Sequence, residues 1–209
     1  ATLVVLMCLG QIASAFEIRI NCGGPQVTLS DGSVWLADGQ YTPELGYGYE
    51  HGVAIESWQA VGGCIDDRIY RTNRSNCGVY HVDVPNDTYV VTLHFADLIG
   101  HGVNQYQTTW KINTTPVLTR LDIYAKVGRT YALDYRFPVA VSTGAILLDD
   151  VIFPRSQLAA VSVVSHAPDL QSPAPPVVTE IVGGFLNVIL NWEDNEEADL
   201  AGYFVYRRL

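Results

Sequence analysis

The sequence predicts an all-β protein with a β-sandwich-like architecture on three observations: two neighbouring runs alternate apolar and polar residues, a polar turn joins them, and no segment of comparable length keeps helical spacing. In the second run, Tyr89, Val91, Leu93 and Phe95 point to one face and Val90, Thr92 and His94 to the other. That period of two belongs to a strand with one face in a core. In the first run, Tyr80, Val82 and Val84 alternate with His81 and Asp83. Pro85, Asn86 and Asp87 supply the turn, since proline fixes φ and Asn and Asp tolerate tight bends. Tyr131, Leu133, Tyr135 and Phe137 repeat the alternation, and residues 145–153 form a nearly continuous apolar run broken only at Asp149 and Asp150.

A chain of 209 residues suggests one main domain plus part of another. We divide it into residues 1–15, a signal-peptide remnant; 16–164, the main strand-rich domain; 165–176, a linker; and 177–209, the start of a second module. Residues 3–9 are apolar and are followed by Ala13-Ser14-Ala15, a small-x-small cleavage pattern that sets Phe16 as the mature start. That run is too short to span a bilayer, and no later segment is long and apolar enough to do so. The first residue is Ala and no basic segment precedes the run, as in a sequence truncated at its front. The expected location is secreted, extracellular or cell-surface, with the endoplasmic reticulum lumen as the alternative.

The formal charge of −10 argues against nucleic acid, whose phosphates require clustered Lys and Arg. Export permits disulfides. Cys8 leaves with the signal, and Cys64 and Cys77, which flank the Tyr70–Arg74 cluster, are the expected pair, with Cys22 either buried and free or paired to a cysteine outside the given sequence. The cysteine spacing carries no zinc signature, and no metal or other cofactor is expected. Acceptor sequons for N-glycans occur at Asn73, Asn86 and Asn113.

Composition changes after residue 165. Pro168, Pro173, Pro175 and Pro176 make a stiff, extended connector. Val188-Ile189-Leu190-Asn191-Trp192 and Tyr203-Phe204-Val205-Tyr206 then resemble the opening strands of a fibronectin type III module, over about its first half.

The main domain carries a second resemblance. Ile20-Asn21-Cys22-Gly23-Gly24, Trp35-Leu36-Ala37-Asp38 with Tyr41, and Ile69-Tyr70-Arg71-Thr72-Asn73-Arg74 stand in the order seen in malectin and malectin-like domains. Pro85-Asn86-Asp87-Thr88-Tyr89 before Leu93-His94-Phe95-Ala96-Asp97 is similar to that family's best-known stretch, and Leu121-Asp122-Ile123 with Gly128 to a later strand and turn. The resemblance implies a β-sandwich of jelly-roll type that binds oligosaccharides in a shallow cleft formed by loops at one end. Sugars present C–H faces that stack on aromatic rings, and their hydroxyls pair with planar Asp, Asn and Arg groups. By family position Tyr47 or Tyr49, Tyr70, Arg74 and Asp97 approach the cleft, and Asp149 or Asp150, of which we take Asp150, closes it. Structural roles compete with these: Tyr70 as a cap on the core, Arg74 paired to Asp66 or Asp67, and Tyr89 and Tyr135 as core. Where animal malectin has an aromatic pair after the Phe-Ala-acidic motif, this chain has Leu98-Ile99-Gly100-His101, which predicts a ligand other than malectin's own.

Enzyme motifs are missing from the sequence: there is no Gly-x-Ser-x-Gly elbow, His-Glu-x-x-His or phosphate loop. The expectation is a secreted, non-catalytic carbohydrate-binding module of a larger protein. The alternative is a cell-surface adhesion or receptor ectodomain that binds protein, peptide or cell-wall ligands.

Overall fold

The computed structural model describes residues 16–151, 156–165, 177–183 and 188–193. The expected signal segment, the linker from 166 to 176 and the Tyr203–Tyr206 stretch lie outside the described residues. Two compact units divide the chain, Ala1–Ala167 and Pro168–Leu209.

Among the described residues, thirteen strands build the first unit: β1 (Glu17–Asn21), β2 (Val27–Thr28), β3 (Val34–Ala37), β4 (Tyr47–Tyr49), β5 (Val53–Glu56), β6 (Thr72–Ser75), β7 (Val79–Asp83), β8 (Thr88–Ala96), β9 (Thr108–Ile112), β10 (Thr115–Leu121), β11 (Ala132–Ala140), β12 (Ala145–Asp150) and β13 (Ala160–Ser165). A short 3-10 turn at Arg68–Tyr70 and one short helix, α1 (Ile123–Val127), interrupt them. Asp122 caps α1 by accepting from the Ala125 amide. The strands form a six-stranded sheet in the order β11-β8-β13-β1-β3-β2 and a five-stranded sheet in the order β10-β9-β12-β7-β4, with β5 and β6 as a separate pair. β1 and β3 run parallel, and the other ladders are antiparallel.

The alternation read from sequence is what closes the sandwich. Tyr89, Val91, Leu93 and Phe95 of β8 are wholly buried, with Ile20, Val161 and Val163 of the same sheet. They meet Tyr80, Val82, Trp110, Ile112, Ile146 and Leu148 of the facing sheet. The edge strand β11 adds Leu133, Tyr135 and Phe137, which are half-buried against this core. On the opposite face of β8 a second cluster gathers Trp35, Val61, Ile69, Tyr70, Ala96 and Ala160. The segment between β5 and β6 therefore covers the outer face of the larger sheet. In β12 the two carboxylates part as a strand requires: Asp150 is buried, while Asp149 reaches Lys111 at 3.5 Å.

The expected Cys64–Cys77 bridge is corrected by the structure, in which Cys22, Cys64 and Cys77 are free thiols. Cys77 belongs with Cys22 to the core between the sheets, while Cys64 is half-buried at the second cluster with its Sγ 3.4 Å from the Val61 carbonyl oxygen. The two side chains serve different packing clusters, which sequence proximity does not reveal. Burial pushes the Cys22 and Cys77 thiols well up; Asp38 adds to this at Cys22 and Asp150 at Cys77.

The second unit is described by one antiparallel pair, β14 (Val178–Gly183) and β15 (Val188–Trp192), paired from Val178↔Trp192 to Gly183↔Val188 with a register shift between Val178 and Glu180.

Leu93 is fully buried and Val90, three residues away, lies on the other face half-exposed. Replacing Leu93 by Ala is expected to cost about 3 kcal/mol in urea unfolding, against about 1 kcal/mol or less for Val90→Ala. Equal losses at the two positions would contradict the face assignment.

Candidate functional site

β6 is the strand that periodicity misses. Its residues Thr72, Asn73, Arg74 and Ser75 are polar, yet all four are buried. Buried polar groups demand partners, and the surroundings of β6 supply them except at Asn73 Oδ1, which has none among the described residues. Its backbone pairs with β5 on one side and, at Arg74, with Leu158 on the other, through bonds of 2.8 and 3.1 Å. Thr72 donates to Asn21 Oδ1 at 3.0 Å.

Arg74 donates from Nε and Nη2 to Asp38 Oδ2, both at 2.8 Å, and the two side chains are only 9% and 3% exposed. Asp38 also accepts from the Gly23 amide and, through Oδ1, from the Tyr80 hydroxyl at 2.7 Å. The Arg74 guanidinium lies 3.6 Å over the Tyr49 ring, a cation–π contact. Tyr47 donates its hydroxyl to the Ala37 carbonyl at 3.1 Å. The sequence alternatives for Arg74, Asp66 and Asp67, pair instead with Arg68 and Arg71.

A second knot centres on Gln157. Its Oε1 accepts from Asn73 Nδ2 at 3.0 Å and from the Leu98 amide at 2.9 Å, and its Nε2 donates to Asp97 Oδ1 at 3.0 Å. Asp97 accepts in addition from the amides of Ile99 and Gly100. A Cβ on Gly100 would sit 2.1 Å from Asp97 Oδ2, so this tight turn requires glycine. Asn73 is wholly buried, with Nδ2 also bonded to the Ala96 carbonyl, and its sequon is therefore closed to modification in the folded chain.

Asp150 is bonded to the Ser156 hydroxyl, which also accepts from the Asn76 amide. Among the described residues Asp150 Oδ1 has no hydrogen-bond partner, nor has the indole N–H of Trp110, its neighbour across the ladder. Burial pushes the Asp150 carboxyl up to about 6; Ser156 opposes the rise and the charge of Asp149 adds to it.

Four of the six residues that the resemblance singles out thus meet β6 or residues 156–158: Arg74 in β6, Tyr49 under its guanidinium, Asp97 at Gln157 and Asp150 at Ser156. Arg74, Asp97 and Asp150 are buried and Tyr49 is half-buried, while Tyr47, also half-buried, bonds to the Ala37 carbonyl. The recess bordered by Asp97, Thr108, Ser156 and Gln157 has essentially no free volume. Tyr70 stands apart, on the outer face of the larger sheet. Its hydroxyl donates to Asp134 at 2.8 Å and lies 3.2 Å from His94 Nδ1, and its ring packs in the second cluster. Burial, followed by the Asp134 charge, pushes its hydroxyl pKa far up. Burial alone would raise the Asp134 carboxyl, but bonds from His94 and Tyr70 hold it below the usual carboxylate range.

Sequence reasoning missed Gln157 and the Asp134–His94 pair, since no local pattern marks partners that sit 40 or more residues away. It also passed over Trp58, whose only signal is a large aromatic residue outside any alternating run. Trp58 is 88% exposed. Asp66, Asp67, Arg68 and Arg71, with Ser30, Val61, Cys64 and Ile65, line an open recess of about 570 Å3, and Ser57, the residue before Trp58, donates its amide to the Arg71 carbonyl. Among the described residues no group of three or more His, Cys, Asp or Glu is placed to hold a metal ion, and no helix is long and apolar enough to cross a membrane.

Residues 16–162 match the malectin domain family, and the chain belongs to it. No curated protein matches the sequence significantly. Among solved structures, a beta-glucuronidase of Bacteroides uniformis is similar, with a TM-score of 0.66 at 19% identity over 73% of this chain and 18% of the other. The ANXUR2 extracellular domain from Arabidopsis thaliana has a TM-score of 0.59 at 19% identity, over 71% of this chain and 48% of that one. The ANX1 ectodomain from the same plant gives 0.57 at 19% identity, over 71% and 47%. The chain therefore spans under a fifth of the glucuronidase and about half of each receptor ectodomain, and at these identities the likeness is one of fold.

Two outcomes are expected for the framework. Asp38→Ala leaves a buried guanidinium without its counter-charge and is expected to cost about 3–5 kcal/mol in urea unfolding. A cost below about 1 kcal/mol would show that the pair is solvated. Asp150, whose folded pKa of about 6 exceeds its unfolded value, favours the folded state below about pH 4 and loses that contribution as pH rises through 6. Asp150→Asn is therefore expected to gain up to about 3 kcal/mol over the native chain between pH 4 and pH 7. Parallel stability curves for the two proteins would contradict the raised value.

Proposed function

We propose that this chain is a secreted, non-catalytic carbohydrate-binding domain that serves as an ancillary part of a larger protein. Membership of the malectin domain family over residues 16–162 is the observation that carries this reading. The fold supports it physically. Two packed sheets and the hydrogen bonds around Arg74 and Gln157 hold the connecting segments firmly, so that a sugar meets a surface already in shape. The similar glucuronidase, in which the matching part is 18% of the chain, supports the ancillary role. Beyond the linker, β15 with its Asn191-Trp192 begins a fibronectin type III module, and the antiparallel β14–β15 pair supports that assignment.

The receptor-ectodomain reading, with a protein, peptide or cell-wall ligand, draws its support from the similar ANXUR2 extracellular domain. A glycan array and a peptide array probed with the same preparation separate the two. The expected result is weak glycan binding, with Kd in the micromolar to millimolar range, about −8 to −4 kcal/mol. Saturable binding to peptides with no glycan bound would reverse the assignment.

A further inference from the structure

The segment between β5 and β6 has unusual content for a connection that covers a sheet. It buries Val61, Ile69 and Tyr70 yet leaves Trp58 and Ile65 standing in solvent. The backbone beneath them is clamped. The Ser57 amide donates to the Arg71 carbonyl at 2.8 Å, extending the β5–β6 ladder by one step and holding Trp58 beside Arg71. The Val61 amide is fixed by Asp67 Oδ2 at 3.0 Å. Gly62 exchanges backbone bonds with Thr130 and Ala132, and the Tyr131 ring lies so close over Gly62 and Gly63 that a Cβ at either would meet it at 2.6 Å. An indole exposed on a backbone tied at so many points is displayed by the fold, and large exposed apolar side chains beside a polar recess mark binding surfaces.

The recess that Arg71 helps to line is electrically balanced. Arg68 is bonded to Asp66, and Arg71 to Asp67 at 2.9 Å. Two carboxylates and two guanidiniums leave no surplus cation to hold a carboxylate or sulfate, while the chain's net charge of −10 repels polyanions at a distance. The same groups, held planar by their pairing, offer acceptors and donors to neighbouring hydroxyls. A volume of about 570 Å3 falls within the range of small-ligand sites, about 300–1,000 Å3.

Resting on the carbohydrate-binding reading above, we propose that this recess takes a neutral saccharide, with Trp58 as its stacking platform and Asp66, Asp67, Arg68 and Arg71 as its hydroxyl-binding floor. The site lies on the outer face of the larger sheet, apart from the interior framework around β6. Cys64 lines it and is half-exposed, whereas Cys22 and Cys77 are buried, so a bound sugar shields the one accessible thiol among the described residues.

The test uses the full chain with cello-, laminari-, malto- and manno-oligosaccharides as neutral probes and polygalacturonate as the acidic one. The native protein is expected to bind at least one neutral series in preference to polygalacturonate. Trp58→Ala should weaken that binding at least about tenfold, and Trp58→Phe by no more than about threefold, because the stacking face is kept. In the native protein, the bound oligosaccharide should also slow alkylation of Cys64 by N-ethylmaleimide, a readout that needs no variant. Native binding of a neutral sugar that Trp58→Ala leaves unchanged, with Cys64 still unprotected, would move the site elsewhere while the carbohydrate reading stood. Preference for polygalacturonate would overturn the ligand class. A folded native chain that binds none of the probes would remove the site and the broader reading together.

Discussion

The buried pair between Asp38 and Arg74 is the constraint on which the arrangement around β6 depends. A guanidinium cannot enter a protein interior without counter-charge and hydrogen bonds, and Asp38 supplies the charge while Tyr80 and the Gly23 amide complete the carboxylate's shell. Satisfying these groups ties together four parts of the chain: the turn after β1, the end of β3, β6 and β7. Once Arg74 is held, its backbone fixes Leu158, and the residues just before it bring Ser156 and Gln157 against Asp150, Asn73 and Asp97. Hydrophobic contact drives the two sheets together, but it is non-directional. The polar framework is what sets where the connecting segments lie.

This division of labour explains why residues expected at a sugar cleft are found inside. Tyr, Arg and Asp suit both tasks, since planar, directional groups bind hydroxyls and brace loops equally well. Motif matching cannot tell the two apart, because either role keeps the same residue at the same place. Exposure does. Arg74, Asp97 and Asp150 are buried and bonded to neighbours within the chain, while Trp58 has almost its whole surface free. Asp150 is the least comfortable member, with one oxygen unpartnered and its proton held more tightly than in solution.

The segment between β5 and β6 adds a different kind of surface to the same scaffold. It seals the outer face of the larger sheet with Val61, Ile69 and Tyr70, and Tyr70 in turn organises Asp134 and His94 beneath it. Its outward side carries the balanced charges and the exposed indole. A single connection therefore serves both stability and display, which is possible because it is anchored along its length by backbone bonds rather than left as a free loop.

By itself, the sequence determined the sandwich. The alternation of Tyr89, Val91, Leu93 and Phe95, its echo at Tyr80 and Val82, and the intervening Pro-Asn-Asp turn demand strands with one buried face, because strand side chains alternate whatever the rest of the chain does. The order of the motifs from Ile20 to Asp122 was enough to indicate the family. Only the tertiary structure decided which polar residues were interior, because β6 has no apolar face to announce it and its partners Asp38, Leu158 and Gln157 are far away in sequence. The cysteines show the same limit: Cys64 and Cys77 are near neighbours along the chain but belong to clusters on opposite faces of a sheet. Local patterns record which way a side chain points; what it meets there depends on which distant segments the fold brings across.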